Sequence, residues 1–272
     1  MRVLVTSKKD PASQNILRVL VSDYGFSEDG ESFEGSPVYT LDTKAKLITT
    51  ERDMIACDHL EDHFRPEVFI FCSRHRAQSG RPSLLVHSTG NFGEDTAFGG
   101  QPRALSVSAP RLVSAALRRL YAEREERGLH DFDVSLEVTH HGPTNLMTPL
   151  LFVELGSDET YWNHPEGAAA VAAAVMDCLE PSLGGDSAIA FGGTHYASKF
   201  NSIVLDGECD IGHMAARYAM DDIAPDTIGQ MVRRSASTVK TALIDWKGTN
   251  ASQRERVLPV LEDLGIEIIR AK

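Results

Sequence analysis

The chain has 272 residues, of which 42% are hydrophobic and 24% charged, an ordinary globular composition that can bury a sizeable core. Lysine and arginine number 27 against 39 acidic residues, and the formal charge of -12 excludes a generally basic surface, so any nucleic-acid contact must be a local patch. No apolar run reaches the ~20 residues of a membrane span, and the start MRVLV is too short for a signal-peptide core. We therefore expect a cytoplasmic protein with one domain over residues 1–272.

Strands and helices alternate along the first half of the sequence. Apolar runs and helical spacings predict a strand at 2–6, a helix from 11 to about 24, a hairpin at 38–50, and strands at 67–72 and 83–87. Pro110 then opens a helix that ends near Gly128, since its apolar residues recur at helical spacing.

The second half continues the same alternation. The predicted elements are strands at 133–139 and 150–155, a helix from 165 to about 179, a strand at 187–191, a helix at 225–234, a strand at 241–245, a helix at 252–264 and a last strand at 266–269. This order predicts an α/β fold, a three-layer α/β/α sandwich with a mixed or parallel central sheet.

Histidines at the ends of apolar runs are the most informative residues. Five places follow this pattern, and they contain His75, His87, the pair His140 and His141, His195, and His213. Open α/β sheets bind ligands at the carboxyl ends of their strands, and we expect His195 to share that edge with His140 or His141. Imidazole is both the commonest transition-metal ligand and the usual proton carrier near neutral pH. Glu154 adds a carboxylate within an apolar run, where burial requires a cation or a hydrogen-bond partner.

Two of these places carry a local geometric question. Neighbouring strand side chains point to opposite faces, so His140 and His141 either have two roles or are brought together by a bend at residues 142–143. Gly192 and Gly193 precede His195, and the backbone NH groups of this turn could form an anion or oxyanion site.

Two further features bear on the kind of substrate. The four cysteines form no CxxC pair and are interpreted as buried free thiols. Arg74, Arg76 and Arg81 cluster beside the supposed site, and a basic rim there would suit an RNA backbone or a polyphosphate.

Six short motifs taken together resemble one known family. They are SRH at 73–75, RPSLLVHSTGN at 81–91, EVTHHGPT at 137–144, FVELGS at 152–157, GGTHY at 192–196 and IGH at 211–213. In these motifs the chain is similar to D-aminoacyl-tRNA deacylases of the archaeal and plant type, although Thr194 stands where the family is expected to have a third glycine. The resemblance implies a fold similar to the phosphorylase and peptidyl-tRNA hydrolase group. It also implies a zinc-dependent esterase that removes D-amino acids, and N-modified D-aminoacyl adducts, from tRNA.

The resemblance gives the candidate residues roles without deciding between them. One or two Zn2+ ions would be held by several of the expected ligands, which are His75, His87, His140, His195 and His213. The expected catalytic residues, one of them a general base, are His140, His141, Glu154 and His195. Arg74, Arg76 and Arg81 are expected to contact the D-aminoacyl-tRNA substrate. The alternatives are a zinc hydrolase of small amides, peptides or esters, and a tRNA-binding protein whose metal is only structural.

Overall fold

A computed structural model of the chain describes residues 1–271. Its strands are β1 (Arg2–Ser7), β2 (Ser27–Phe33), β3 (Ser36–Leu41), β4 (Ala45–Thr50), β5 (Phe69–Arg76), β6 (Ser83–His87), β7 (Asp133–Leu136), β8 (Leu150–Ser157), β9 (Asp186–Phe191), β10 (Ile211–Ala215), β11 (Thr238–Ile244) and β12 (Glu267–Arg270). Its α-helices are α1 (Pro11–Asp23), α2 (Pro110–Glu126), α3 (Glu159–Trp162), α4 (Pro165–Asp177), α5 (Ser198–Leu205), α6 (Pro225–Arg233) and α7 (Ala251–Asp263). None of the helices within residues 1–271 is long and apolar enough to cross a bilayer.

The strands form two sheets. The larger has eight strands in the order β2-β3-β4-β1-β5-β8-β6-β7, and it is mixed, because β6 runs antiparallel to β8 while β4, β1, β5 and β8 are parallel. The smaller has four parallel strands in the order β10-β9-β11-β12. The predicted α/β class with a mixed sheet is confirmed, whereas the division into two sheets was not anticipated.

Helices cover one face of the large sheet and both faces of the small one. Helices α1, α2 and α4 pack on the large sheet, and α4 lies close to both neighbours because it consists largely of alanine. Helix α2 also contacts β10 of the small sheet. The opposite face of the small sheet packs on α6 and α7. The opposite face of the large sheet carries phenylalanines such as Phe71 and Phe152, with rings stacked 4.5 Å apart, and is covered by short 3-10 turns.

Most predicted elements are present with shifted ends, and the omissions have a clear cause. The hairpin at 38–50 is β3 and β4, and α7 continues through Pro259 to its end before Gly265. Strand β2 was not predicted because its sequence SEDGESF is polar, with only Phe33 buried. The four cysteines are free, and three of them, Cys57, Cys72 and Cys178, are buried as expected.

The segment after β7 joins the two sheets. The amide of Glu137 donates to the carbonyl of Val86 in the large sheet, at 3.1 Å. Two residues on, the amide of Thr139 donates to the carbonyl of Met214 in the small sheet, at 2.9 Å. This crossing places residues 137–141 over the large sheet, against the face that the helices leave free.

Candidate active site

Three predicted site residues lie on the helix-free face of the large sheet. His75 on β5 pairs in register with Gly156 of β8, whereas His87 at the end of β6 pairs with Phe152. Because β6 runs antiparallel to β8, Glu154 lies between the two histidines. These three residues thus meet on a sheet face, whereas His195 lies beside His140, with ring centroids 4.6 Å apart.

A bend in the chain brings the adjacent histidines to the same place. His141 has a φ of 42°, so the chain leaves strand geometry there, and the ring centroids of His140 and His141 lie 4.5 Å apart. The ring of His87 lies 4.2 Å from the first and 4.9 Å from the second. A Cβ at Gly142 would fall 2.4 Å from the amide of Gly100, so only glycine fits beneath the bend. Of the two alternatives, the structure has the bend.

Hydrogen bonds fix the tautomers of these three imidazoles. In each, Nδ1 faces a backbone carbonyl: Ser88 at 3.2 Å for His87, Val138 at 2.8 Å for His140 and Gly142 at 2.6 Å for His141. A carbonyl oxygen only accepts, so Nδ1 carries the proton and each neutral ring keeps an Nε2 lone pair.

The three rings form a donor set suited to a metal ion. One ring nitrogen from each of His87, His140 and His141 lies within 4.8 Å of the other two. The buried Nε2 of His87 has no hydrogen-bond partner among the described residues, and neither has Oε2 of Glu137, 3.9 Å away. In the metal-free protein the nearby carboxylates raise the pKa of His87 against the effect of burial, and a bound cation in place of that proton would likewise relieve the two facing acceptors. Three imidazoles with room for water are a common zinc environment, so the residues fit the ion that the resemblance implies.

Burial keeps two of these imidazoles neutral. It lowers the pKa of His141 to about 4, with a further lowering from His87. Burial also holds the pKa of His140 well below its ordinary value, and His87, His141 and His195 lower it further. A histidine must be unprotonated to bind a metal, so both rings are in the ligand form near neutral pH.

Two buried carboxylates lie beneath the histidines. Nδ1 of His75 is 3.4 Å from Oε2 of Glu154 and 3.5 Å from Oε1 of Glu137. Burial alone would lower the pKa of His75, but these carboxylates raise it above the ordinary value. Glu137 was missed by the sequence analysis. Glu137 carried the same signal as Glu154, because both are carboxylates inside an apolar strand run.

His195 lies at the outer side of the cluster, and its tautomer differs from the others. Its Nε2 is 2.9 Å from Oε1 of Glu137, and its Nδ1 is 3.1 Å from the hydroxyl of Tyr218. Because the carboxylate accepts, Nε2 carries the proton and Nδ1 accepts from the tyrosine. His195 therefore presents a basic nitrogen on the solvent side, with its ring 4.6 Å from that of His140.

His213 does not join the other histidines. It is fully buried within β10, where Nε2 faces the carbonyls of Ser106 at 3.0 Å and Arg234 at 3.2 Å. Its Nδ1 is 3.1 Å from the hydroxyl of Thr139, so both ring nitrogens are used within the protein. This placement does not support the predicted metal-ligand role, and it gives His213 a role in holding the segment that carries the histidine pair.

The glycine turn before His195 is held by backbone hydrogen bonds. The amide of Gly192 donates to the carbonyl of Ala215 at 2.9 Å, and that of Gly193 to the carbonyl of Gly248 at 3.4 Å. These two NH groups are occupied by backbone, and an oxyanion site formed by the NH groups that follow them stays a prediction. The turn packs against Asp245, whose carbonyl would lie 3.1 Å from a Cβ at Gly192.

Two cavities open beside the cluster. The first, about 320 Å³, is lined by Arg74 and Arg76 together with the carboxylates of Asp10, Asp53 and Glu154, and the second, about 430 Å³, by Asp95 and Asp222 with no lysine or arginine. Both share the same four lining residues, which are Phe98, His140, His141 and His195.

The predicted arginines differ in their availability. The guanidinium groups of Arg74 and Arg76 lie over the Trp162 ring, 5.4 and 5.0 Å from its centroid. Arg76 has no ion pair within residues 1–271, whereas Arg81 is 3.3 Å from the carboxylate of Asp133 and lines a different cavity. Within residues 1–271, Arg76 is therefore a cation without an ion pair that lines the cavity at the cluster.

Comparison with known proteins identifies the family. A family model described as D-aminoacyl-tRNA deacylase matches residues 62–269. The chain belongs to the D-aminoacyl-tRNA deacylase family. A D-aminoacyl-tRNA deacylase from Thermococcus kodakarensis is 34% identical over 278 residues, covering 99% of this chain and 100% of the relative. One from Cenarchaeum symbiosum is also 34% identical and covers 100% of both chains. The resemblance found in the sequence motifs is thus confirmed.

A solved structure shares the fold of this chain. A crystal structure of a conserved protein of unknown function, AF0625, superposes with a TM-score of 0.90 at 30% identity, covering 100% of this chain and 95% of that chain. AMP nucleosidase from Bacteroides thetaiotaomicron is a much weaker neighbour, with a TM-score of 0.40 over 66% of this chain. The α/β fold described above is therefore shared over its whole length with a solved protein.

The Glu154 carboxylate is expected to stabilise the metal-free protein in a defined pH range. Burial alone would raise its pKa, but its contacts with His75 and His87 lower the pKa well below 4.5, so its contribution is present above pH 4.5 and lost as pH falls through the folded value. The pKa of His75 is raised above 6.5, so its contribution is present below pH 6.5 and lost as pH rises through the folded value. In the chelated protein, Glu154→Gln should lower Tm by about 5 °C between about pH 5 and 6.5, and by less on either side.

Thermal unfolding of both proteins across pH 3 to 9 measures this difference. Glu180→Gln is the control, since Glu180 is an exposed partner of Lys44 and should leave Tm unchanged. A Tm difference that is the same at every pH would show that Glu154 does not act through these histidines.

Proposed function

We propose that the protein hydrolyses the ester bond of D-aminoacyl-tRNA with a zinc-activated water, releasing the D-amino acid and free tRNA. The observation that carries this proposal is the set of three imidazoles, His87, His140 and His141, whose ring nitrogens converge beside two buried carboxylates. Family membership supplies the substrate, and N-modified D-aminoacyl adducts on tRNA present the same ester. The proposed deacylase domain is the whole chain, 1–272, acting in the cytoplasm where tRNA is charged.

One zinc ion held by His87, His140 and His141 is the arrangement we favour. Two other groups could hold an ion, one with Glu137, His140 and His195 and one with His75, Glu137 and Glu154. Both include Glu137, whose Oε1 already accepts the proton of His195 at 2.9 Å. A ligand role for Nε2 of His195 would break that hydrogen bond, and the third group offers one imidazole only, so the three-histidine group is the better zinc site.

The residues around the zinc ligands then have separate tasks. When bound, zinc lowers the pKa of a coordinated water and polarises the ester carbonyl. His195 accepts the proton of the attacking water at Nδ1 and passes it to the departing ribose oxygen. Glu137 holds the ring of His195 in the tautomer whose Nδ1 is the acceptor, and the water would take the place of the Tyr218 hydroxyl at that nitrogen. Glu154 and His75 form an ion pair beneath the site.

The two cavities fit the two ends of the scissile ester. In the first cavity the guanidinium of Arg76, which has no ion pair within residues 1–271, would bind the phosphate of the 3′ terminal nucleotide, although three carboxylates also line this cavity. The cavity with Asp95 and Asp222 suits the α-ammonium group of the amino acid. A D side chain and an L side chain would leave the α-carbon in different directions, so the wall of this cavity must set the stereochemical choice.

Turnover of matched substrates tests the proposal against its alternatives. The protein should deacylate D-tyrosyl-tRNA much faster than L-tyrosyl-tRNA, and chelation should abolish turnover while the circular dichroism spectrum is kept. Faster turnover of free D-tyrosine esters than of the tRNA ester would favour a small-molecule zinc hydrolase. Tight tRNA binding without turnover in the zinc-loaded protein would favour a binding protein.

Arg76→Ala is expected to weaken tRNA binding in a salt-dependent manner. Removing one phosphate contact should raise KM about fivefold at low salt, leave kcat unchanged, and reduce the slope of log Kd against log salt by about one. Arg256→Ala, on the exposed side of α7, is the matched control and should leave affinity unchanged. Equal affinities of the Arg76 variant and the wild type at every salt concentration would remove Arg76 from the tRNA contact.

A further inference from the structure

The exposed aromatic side chains of the protein all border one place. Within residues 1–271 three aromatic side chains are largely exposed, Phe98 at 70%, Tyr218 at 60% and Tyr196 at 39%. The two tyrosines hydrogen-bond to His195 and His75 of the cluster. Exposed aromatic rings gathered around one site are typical of a surface that receives a ligand.

Phe98 differs from the tyrosines because its phenyl ring has no hydrogen bond to offer and is 70% exposed. It forms part of the wall of both cavities that share the histidines. Its backbone is held in place, since its carbonyl accepts from the amide of Gly142 at 3.1 Å. The next residue, Gly99, would bring a Cβ within 2.4 Å of the carbonyl of Ile55. The loop is therefore packed against the site while the phenyl ring points away from the core.

We infer that Phe98 stacks on the terminal nucleobase of the tRNA 3′ end. The inference rests on the proposed function, since the ester to be cleaved is carried by the terminal ribose. The base on that ribose is one sugar away from the reacting carbon, and the next phosphate lies on the opposite side of the same ribose. Phe98 and Arg76 line the same cavity beside the histidines, so they can receive the base and the phosphate together.

The chemistry of the ring suits an unpaired base of the acceptor end. Every nucleobase has a π face, and aromatic side chains bind single-stranded ends by stacking without base-specific hydrogen bonds. An apolar amino-acid side chain is the competing occupant of the Phe98 ring. It has an apolar wall of its own in the second cavity, where Phe92, Ala97 and Ala219 lie.

Fluorescence of a modified RNA tests the inference on the full-length protein. The probe is an acceptor-stem hairpin that carries no amino acid and has 2-aminopurine in place of the terminal adenine. The emission of 2-aminopurine falls when the base stacks. Wild-type protein should quench the probe, and Phe98→Ala should lose the quenching and raise Kd about tenfold. Phe98→Trp should restore both. Met147→Ala is the control, because Met147 is equally exposed at 67% but lines neither cavity.

Deacylation kinetics complete the test. Phe98→Ala should raise KM for D-alanyl-tRNA and D-tyrosyl-tRNA by the same factor, with little change in kcat. Full quenching by the alanine variant, or a KM effect confined to the larger D side chain, would overturn the inference. Absence of D-aminoacyl-tRNA turnover in the wild type would instead contradict the proposed function, and it is recorded in a separate assay.

Discussion

Replacing His141 with alanine is expected to remove bound zinc and to lower kcat for D-aminoacyl-tRNA by at least about 10³-fold. Two imidazoles, His87 and His140, would remain of the three that converge. A catalytic zinc site generally needs three protein ligands, so the ion should be lost at ordinary zinc concentrations. Metal analysis of the purified protein and single-turnover deacylation measure the two effects on the same sample.

His130→Ala is the control for the histidine substitution. His130 is exposed and belongs to none of the converging groups, so its variant should keep both zinc and activity. Circular dichroism should show that the His141 variant is folded. A folded His141 variant that retains one equivalent of zinc and the wild-type rate would exclude this residue as a ligand.

Glu137→Gln is expected to lower kcat by about 10²-fold to 10³-fold with zinc retained. The substitution keeps the shape of the side chain but removes the negative charge that faces Nε2 of His195 at 2.9 Å. His195 then loses both its fixed tautomer and the charge that stabilises its protonated form. KM should change little, because Glu137 is fully buried and lines neither cavity.

The metal content separates two interpretations of that variant. Loss of zinc together with activity would make Glu137 a ligand and contradict its assignment as a positioning residue. Glu94→Gln is the control, since Glu94 is an exposed carboxylate paired with Arg103 and should leave kcat unchanged. If the Glu137 variant deacylated its substrate at the wild-type rate, the pair formed by Glu137 and His195 would take no part in the proton transfer.

The sequence predicted the elements better than their arrangement. Apolar runs identify β5, β6 and β8 as buried strands, but nothing in such a run records strand direction. The antiparallel pairing of β6 with β8, which places His87 on the sheet face beside Glu154, could therefore not be predicted from those runs. The separation of β9 to β12 into a second sheet is equally hidden, because buried parallel strands have the same composition in either sheet.

The candidate site could be predicted in composition and only partly in roles. His75, His87, His140, His141, His195 and Glu154 all come together as expected. His213 does not, because a buried imidazole that is satisfied by backbone carbonyls has the same sequence context as a metal ligand. Glu137 was overlooked although its strand carried the same signal as Glu154.

The most direct measurement is an anomalous difference map at the zinc edge from crystals of the protein loaded with one equivalent of zinc. The account predicts one strong peak bonded to Nε2 of His87, His140 and His141. A peak at any other residues would contradict it. Full deacylase activity of protein that shows no such peak would contradict it as well.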